Sequence, residues 1–113
     1  MAGNSETEAI VVFVTAADAD EATRLAEMLV EKRLAGCVQI MPPMESIYRW
    51  QGEIQRAKEI LLVVKTTKTR FDELETQVRA IHSYETPEVV AVPVTDASTP
   101  YLKWLLSELT QNS

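Results

Sequence analysis

Cysteine is almost missing from this chain: Cys37 is the only one in 113 residues. A lone thiol cannot close an internal disulfide, which excludes a cystine-stapled scaffold and favours a reducing compartment. Histidine is as scarce, with His82 alone. One cysteine and one histidine cannot build a four-ligand structural zinc site within one copy. The three glycines are isolated from one another, so there is no glycine-rich loop to cradle a phosphate. Basic residues are few, eleven against seventeen acidic ones, giving a formal charge of −6. Nucleic acid and anionic membrane both need clustered Lys and Arg, so neither is an expected partner. No apolar run nears the roughly 20 residues of a membrane span. Met1 to Glu8 is polar and acidic, lacks the basic start and apolar stretch of a secretory signal, and reads as a disordered tail. The expectation is a cytoplasmic protein with a single domain over residues 9–113. No nucleophile–histidine pairing is visible along the chain, and no enzyme activity is expected.

What is present is periodicity. Ile10 to Thr15 is a β-branched run that reads as a strand buried on both faces. Asp18 can cap a following helix, with Glu21 three residues on completing a capping box. Ala22, Leu25, Ala26, Leu29, Val30 and Leu34 form its apolar stripe, and Gly36 supplies the stop. A second strand starts at Cys37 and is interrupted by Pro42 and Pro43, which mark a bend or bulge. It resumes over Ser46–Trp50. Gln51 and Gly52 suit a tight turn, which pairs Arg49 with Ile54, Tyr48 with Gln55 and Glu45 with Lys58. The returning strand runs to Thr67. A second helix from about Thr69 to His82 sets Phe71, Leu74, Val78 and Ile81 on one face. Val89 to Thr95 makes a fourth strand, placed at a sheet edge by Pro93. Either Ser98 or Thr99 caps a short last helix with Pro100 in its first turn. The order β-α-β-β-α-β plus a helical tail predicts an α+β, ferredoxin-like subunit with a long hairpin and both long helices on one sheet face.

Two helices cover only one face of a four-stranded sheet. Yet Ile60, Leu62 and Val64 point one way while Leu61 and Val63 point the other, and Ile10–Thr15 and Val89–Val94 show the same continuity. A half-solvated sheet should alternate apolar with polar. The second face therefore needs a cover larger than the last helix, and another copy of the chain is the economical one. The pattern itself does not set the number of copies.

Ser46, Tyr48 and Trp50 lie on one face of the hairpin, and the proposed register sets Glu59 and Lys65 on that same face. Aromatic groups beside Glu and Lys suit a cleft for a small polar molecule, or else fix an interface. Lys65 follows five apolar residues and needs a partner if enclosed. Tyr84, Thr86 and Glu88 surround Pro87 in a loop entering a strand end, where sites are often lined. His82, beside Glu85 and Glu88, reads either as a helix-terminal histidine favoured by the dipole or as a ligand-contacting group. Cys37 reads as a small buried hydrophobe or as a metal ligand. Tyr101 and Trp104, at helical spacing, read as core or interface anchors.

Taken together, Val14–Ala16, Leu34–Val38 (LAGCV), Ser46–Gly52 (SIYRWQG), Glu59 with Lys65 and Thr66, His82–Glu88 (HSYETPE) and Tyr101–Trp104 (YLKW) resemble the CutA, or divalent-cation tolerance, family. The resemblance runs in order from residue 10 to 105. It implies a compact homotrimer built much like the PII signalling proteins, with hairpins extending sheets between neighbours. It also implies a role in copper tolerance, with Cu²⁺ or another divalent cation bound at His82; Cys37 or acidic residues are the further help this chain itself offers. Some members look as though they bind cations through a cysteine before the first-strand Thr and a second histidine beside the loop one. Those two positions are Val14 and Ile81 here. Three readings follow: a PII-like module binding a small polar metabolite in inter-subunit clefts lined by Tyr48, Trp50, Glu59, Lys65, His82, Tyr84 and Glu88; a copper-binding protein; and a structural trimer that anchors a partner protein.

Overall fold

A computed structural model describes residues 8–110. The tail expected over residues 1–8 lies outside the described residues apart from Glu8. That residue is already held, its carbonyl accepting the Lys68 amide at 2.9 Å. The elements are β1 (Ala9–Ala16), α1 (Ala19–Glu31), β2 (Cys37–Trp50), β3 (Glu53–Thr67), α2 (Phe71–Ile81, entered through a 3-10 turn at Lys68–Arg70), β4 (Val89–Pro93) and α3 (Thr99–Leu109). The strands form one antiparallel sheet in the order β2-β3-β1-β4, the order of a ferredoxin-like subunit. β4 is an edge strand, as Pro93 requires, and is shorter than the sequence suggests. Only the Val94 amide continues the ladder, donating to Ala9 at 3.1 Å.

α1 and α2 cover one sheet face. Ile10, Val12, Val14 and Ala16 of β1 and Ile60, Leu62 and Val64 of β3 meet Leu25 and Leu29 of α1 and Leu74 and Val78 of α2 in a single core. Two residues expected in the apolar stripes are exposed instead, Val30 and Ile81, each at the margin of its helix. α1 also ends earlier than Gly36 suggests. Arg33 takes the left-handed conformation (φ 58°), with its amide bonded to Val30 O and that of Leu34 to Leu29 O, a Schellman ending. Gly36 serves packing instead: a Cβ there would stand 2.6 Å from Leu105 Cδ1 of α3. Arg33 then reaches α3 itself, donating to the Glu108 carbonyl at 2.7 Å.

The hairpin register matches the expected pairs, Glu45 with Lys58, Tyr48 with Gln55 and Arg49 with Ile54. Gln51 and Gly52 both have positive φ, as a type I′ turn requires. The Glu45 carboxylate selects the diagonal neighbour, Arg56, at 3.5 Å. A bulge lies between Ile40 and Pro43, where the two prolines break the ladder. β1 pairs with β3 only from Ile60 onward, so residues 44–59 project past β1 as a two-stranded arm. The molecule is 48 Å long as a result.

The other sheet face is largely open in a single chain. α3 covers one end of it, where Leu105 and Leu109 pack on Ala9. Beyond α3, Phe13 pairs with Val63 and Val90, and Val11 with Lys65 and Val92. Of these, Val90 is 50% and Val92 39% exposed.

Candidate functional site

The loop between α2 and β4, residues 82–88, caps the end of β1 and lies against the base of the hairpin arm. His82 begins it. Its side chain is 0% exposed, and both ring nitrogens are engaged. The Tyr84 amide donates to Nδ1 at 3.0 Å, so the ring proton sits on Nε2, which donates to the Thr15 carbonyl at 2.7 Å. The imidazole thus ties α2, the loop and β1 together.

Glu21 completes this node. It is 3% exposed, and its carboxylate accepts the Ala17 amide at 2.9 Å, the Ser83 amide at 2.6 Å and the Ser83 hydroxyl at 3.1 Å. Burial by itself would push the Glu21 carboxyl up. The hydrogen bonds from Ala17 and Ser83, with His82 nearby, outweigh it and hold the group below its ordinary range. The sequence showed Glu21 only as half of a capping box. Asp18 does accept the Glu21 amide at 2.8 Å, but the reciprocal bond is displaced by one residue, to Ala17.

With residues 82 and 83 fixed, Tyr84 reaches the arm. Its hydroxyl donates to Glu59 Oε2 at 2.9 Å. Glu59 is 8% exposed and sits on β3 opposite Met44, on the face that carries Tyr48 and Trp50. Burial first, then the bond to Glu59 and the Glu59 charge, push the Tyr84 phenol up to about 12. Tyr48, Trp50, Tyr84, Glu85 and Thr86 then line a groove of about 310 Å³. A larger hollow of about 420 Å³ lies by the β4 edge, around Phe71 and Pro93, and contains none of the candidate cleft or metal residues.

Three of the seven expected cleft residues, Tyr48, Trp50 and Tyr84, line the groove, while Glu59 and His82 stand behind Tyr84, the first bonded to its hydroxyl and the second against its ring, centroids 4.9 Å apart. Lys65 does not join them. It shares the face of Glu59, as the register demands, but lies six residues along β3, about 20 Å away. Glu88 is exposed beside the start of β4, outside the groove. The groove also gains Glu85, which the sequence suggested only as a neighbour of His82. Tyr101 and Trp104 pack on each other, centroids 5.5 Å apart, and both are exposed, so neither is a core residue of the single chain.

Cys37 and His82 are not brought together within one chain. Cys37 pairs with Lys65, which faces Val11; His82 sits at Thr15, four residues, about 13 Å, further along β1. Among the described residues no three His, Cys, Asp or Glu side chains cluster as a metal site. With both imidazole nitrogens committed, His82 as folded does not fit a soft divalent cation.

Fold and site together define a ferredoxin-like α+β subunit with a projecting hairpin arm and an aromatic groove between that arm and the 82–88 loop. The chain belongs to the family described as CutA1 divalent ion tolerance protein, which matches residues 10–108. It is 47% identical over 95 residues to the divalent-cation tolerance protein CutA of Thermus thermophilus, covering 84% of this chain and 92% of that one. It is 43% identical over 96 residues to a chloroplastic CutA of Arabidopsis thaliana, where it spans about half the relative's length, 53%. A solved structure of the periplasmic divalent cation tolerance protein CutA from Archaeoglobus fulgidus superposes with a TM-score of 0.88 at 36% identity, over 90% of this chain and 99% of that one.

Proposed function

We propose that the protein acts by binding, not by catalysis: a homotrimeric, PII-like module whose groove between the hairpin arm and the 82–88 loop holds a small polar molecule. The observation that carries this reading is the Tyr84–Glu59 hydrogen bond. It fixes the 82–88 loop onto the arm and sets three aromatic residues and a carboxylate around one hollow. Self-association is supported by the apolar open face of the sheet, with Phe13, Val63, Val90 and Val92 unpaired by any helix, and three copies is the number the family resemblance implies. A cytoplasmic setting is supported by the single cysteine. Among the described residues no helix is long and apolar enough to cross a membrane. The relatives' names place some of them in chloroplast or periplasm, so location is not a property of the fold.

The second reading is a divalent-cation function, favoured by the names of the relatives and by the Glu21 carboxylate 3.7 Å from His82 Nδ1. It requires the His82 ring to abandon its bonds to Thr15 and Tyr84, which would leave buried groups unpaired at about 1–3 kcal/mol each. Calorimetric titration of metal-stripped protein with Cu²⁺, Zn²⁺ and a panel of small metabolites separates the two. The expected result is a metabolite bound saturably in a species of three-chain mass, with weak, non-stoichiometric metal uptake. Tight Cu²⁺ binding at one per chain, lost in His82→Ala, would replace the first reading with the second.

A further inference from the structure

The hairpin arm sorts its charges by face. Paired residues of an antiparallel ladder share a face and successive residues alternate. Glu45, Arg49, Arg56 and Lys58 therefore lie on one face, together with Ile47 and Ile54. The opposite face carries Tyr48 against Gln55, Trp50 against Glu53, and Glu59 against Met44. Every cation of the arm is on the side away from the groove, and the aromatic side carries carboxylates only. The nearest cation on that face is Lys65, about 20 Å along β3.

The groove repeats this polarity, and Arg79, which lines the adjoining hollow that shares Glu85 and Thr86, is paired with Glu75 at 3.3 Å. The groove's one charged lining residue is Glu85, and Glu59 stands behind the Tyr84 hydroxyl. Tyr84 donates its proton to Glu59, so its oxygen presents lone pairs, not a donor, to a newcomer. The Glu59 carboxylate has only that one bond among the described residues. Since no buried side-chain oxygen there lacks a partner, its second oxygen opens to solvent. Tyr48 and Trp50 are 44% and 48% exposed in the single chain.

Aromatic faces attract cations through their quadrupole, and Trp most strongly. Carboxylates behind them repel phosphates and attract ammonium groups. A metal ion would need several oxygen or nitrogen donors, and the lining supplies one carboxylate. Resting on the binding function proposed above, we infer that the ligand of this groove is a small organic cation, a substituted ammonium of a size suited to about 310 Å³, and not an anionic nucleotide.

The test is calorimetric titration of the full chain with three probes: choline, its uncharged carbon isostere in which the quaternary nitrogen is replaced by carbon, and ADP. Choline should bind saturably, with the isostere about tenfold weaker. Trp50→Ala and the exposed-loop variant Glu85→Gln should each weaken choline several-fold, the second guarding against a folding defect in the first. Equal affinity for the isostere, or choline binding untouched by either variant, would overturn the cation assignment. So would ADP bound in a manner lost on Trp50→Ala, although that result would leave small-molecule binding at the groove intact. Silence of all three probes defeats this inference; the broader binding function falls separately, only if the metabolite panel is silent too.

Discussion

Tyr84 joins two segments that the chain separates by 25 residues, and one hydroxyl makes the connection. Replacing it in Tyr84→Phe keeps the ring in the groove and leaves the Glu59 carboxylate, 8% exposed, without its donor. The expected loss is about 1–3 kcal/mol in chemical denaturation, the range for stranding a buried acceptor. The alkaline limb gives a sharper signature. The phenol is pushed up to about 12 in the fold against 10.0 for an ordinary tyrosine, so the folded state holds its proton more tightly. That contribution is complete below pH 10 and is lost as pH rises toward 12. Wild type should therefore lose stability more steeply across that window than Tyr84→Phe. Parallel alkaline limbs would mean that the hydroxyl is not held by Glu59. The rest of the node shows why residue roles were only partly legible. Tyr48, Trp50 and Tyr84 announce themselves as aromatic residues in polar segments. Glu21 does not, because its main partner, Ser83, lies 62 residues away and a capping role already accounts for a glutamate at that position.

Elements were read well wherever the deciding signal was local. The Gln51–Gly52 turn fixes the hairpin register by itself, and Pro42, Pro43 and Pro93 mark the bulge and the edge strand where they fall. The end of α1 was misplaced because glycine is a preference for the left-handed position, not a requirement, and Arg33 fills it here. What keeps glycine at 36 is α3, an element remote in sequence. Gly36→Ala should consequently act through Leu105, which is buried and cannot swing into solvent. The expected cost is about 1–3 kcal/mol, as for other overpacked sites, with α3 shifted on the sheet. Thermal denaturation together with hydrogen exchange of the α3 amides would register both effects. A variant of unchanged stability and unchanged α3 protection would show that this helix is docked too loosely for Leu105 to matter. Lys65 is the complementary lesson: its face was correctly inferred, but sharing a face says nothing about distance along a strand.

At the scale of the molecule, the two-sided apolar strands and the open sheet face state one fact in two ways. β1, and β3 from Ile60 onward, bury their even-numbered residues under α1 and α2, while Phe13, Leu61 and Val63 on the other side are only half covered by their own chain. Val90 sits at the centre of the uncovered part, opposite Phe13, and is 50% exposed. This makes Val90→Glu a discriminating substitution. On a solvent-facing surface the change is worth within about 0.5 kcal/mol. Inside a contact between copies it buries an unpaired carboxylate, which is severe enough to break the contact or to expel the charge by protonation. Sedimentation or native mass spectrometry should then give a three-chain mass for wild type, as the proposed trimer requires, and the single-chain mass for the variant, with a lowered Tm because assembly would stabilise each folded chain. An unchanged mass and Tm would put Val90 in solvent and move the search for the interface to the hairpin arm, where Ile47 and Ile54 are 56% and 65% exposed on the face opposite the groove. The groove opens on the same sheet face that a neighbouring copy would cover, so an assembled wild type should hold its ligand more tightly than a dissociated Val90→Glu chain that retains every groove residue.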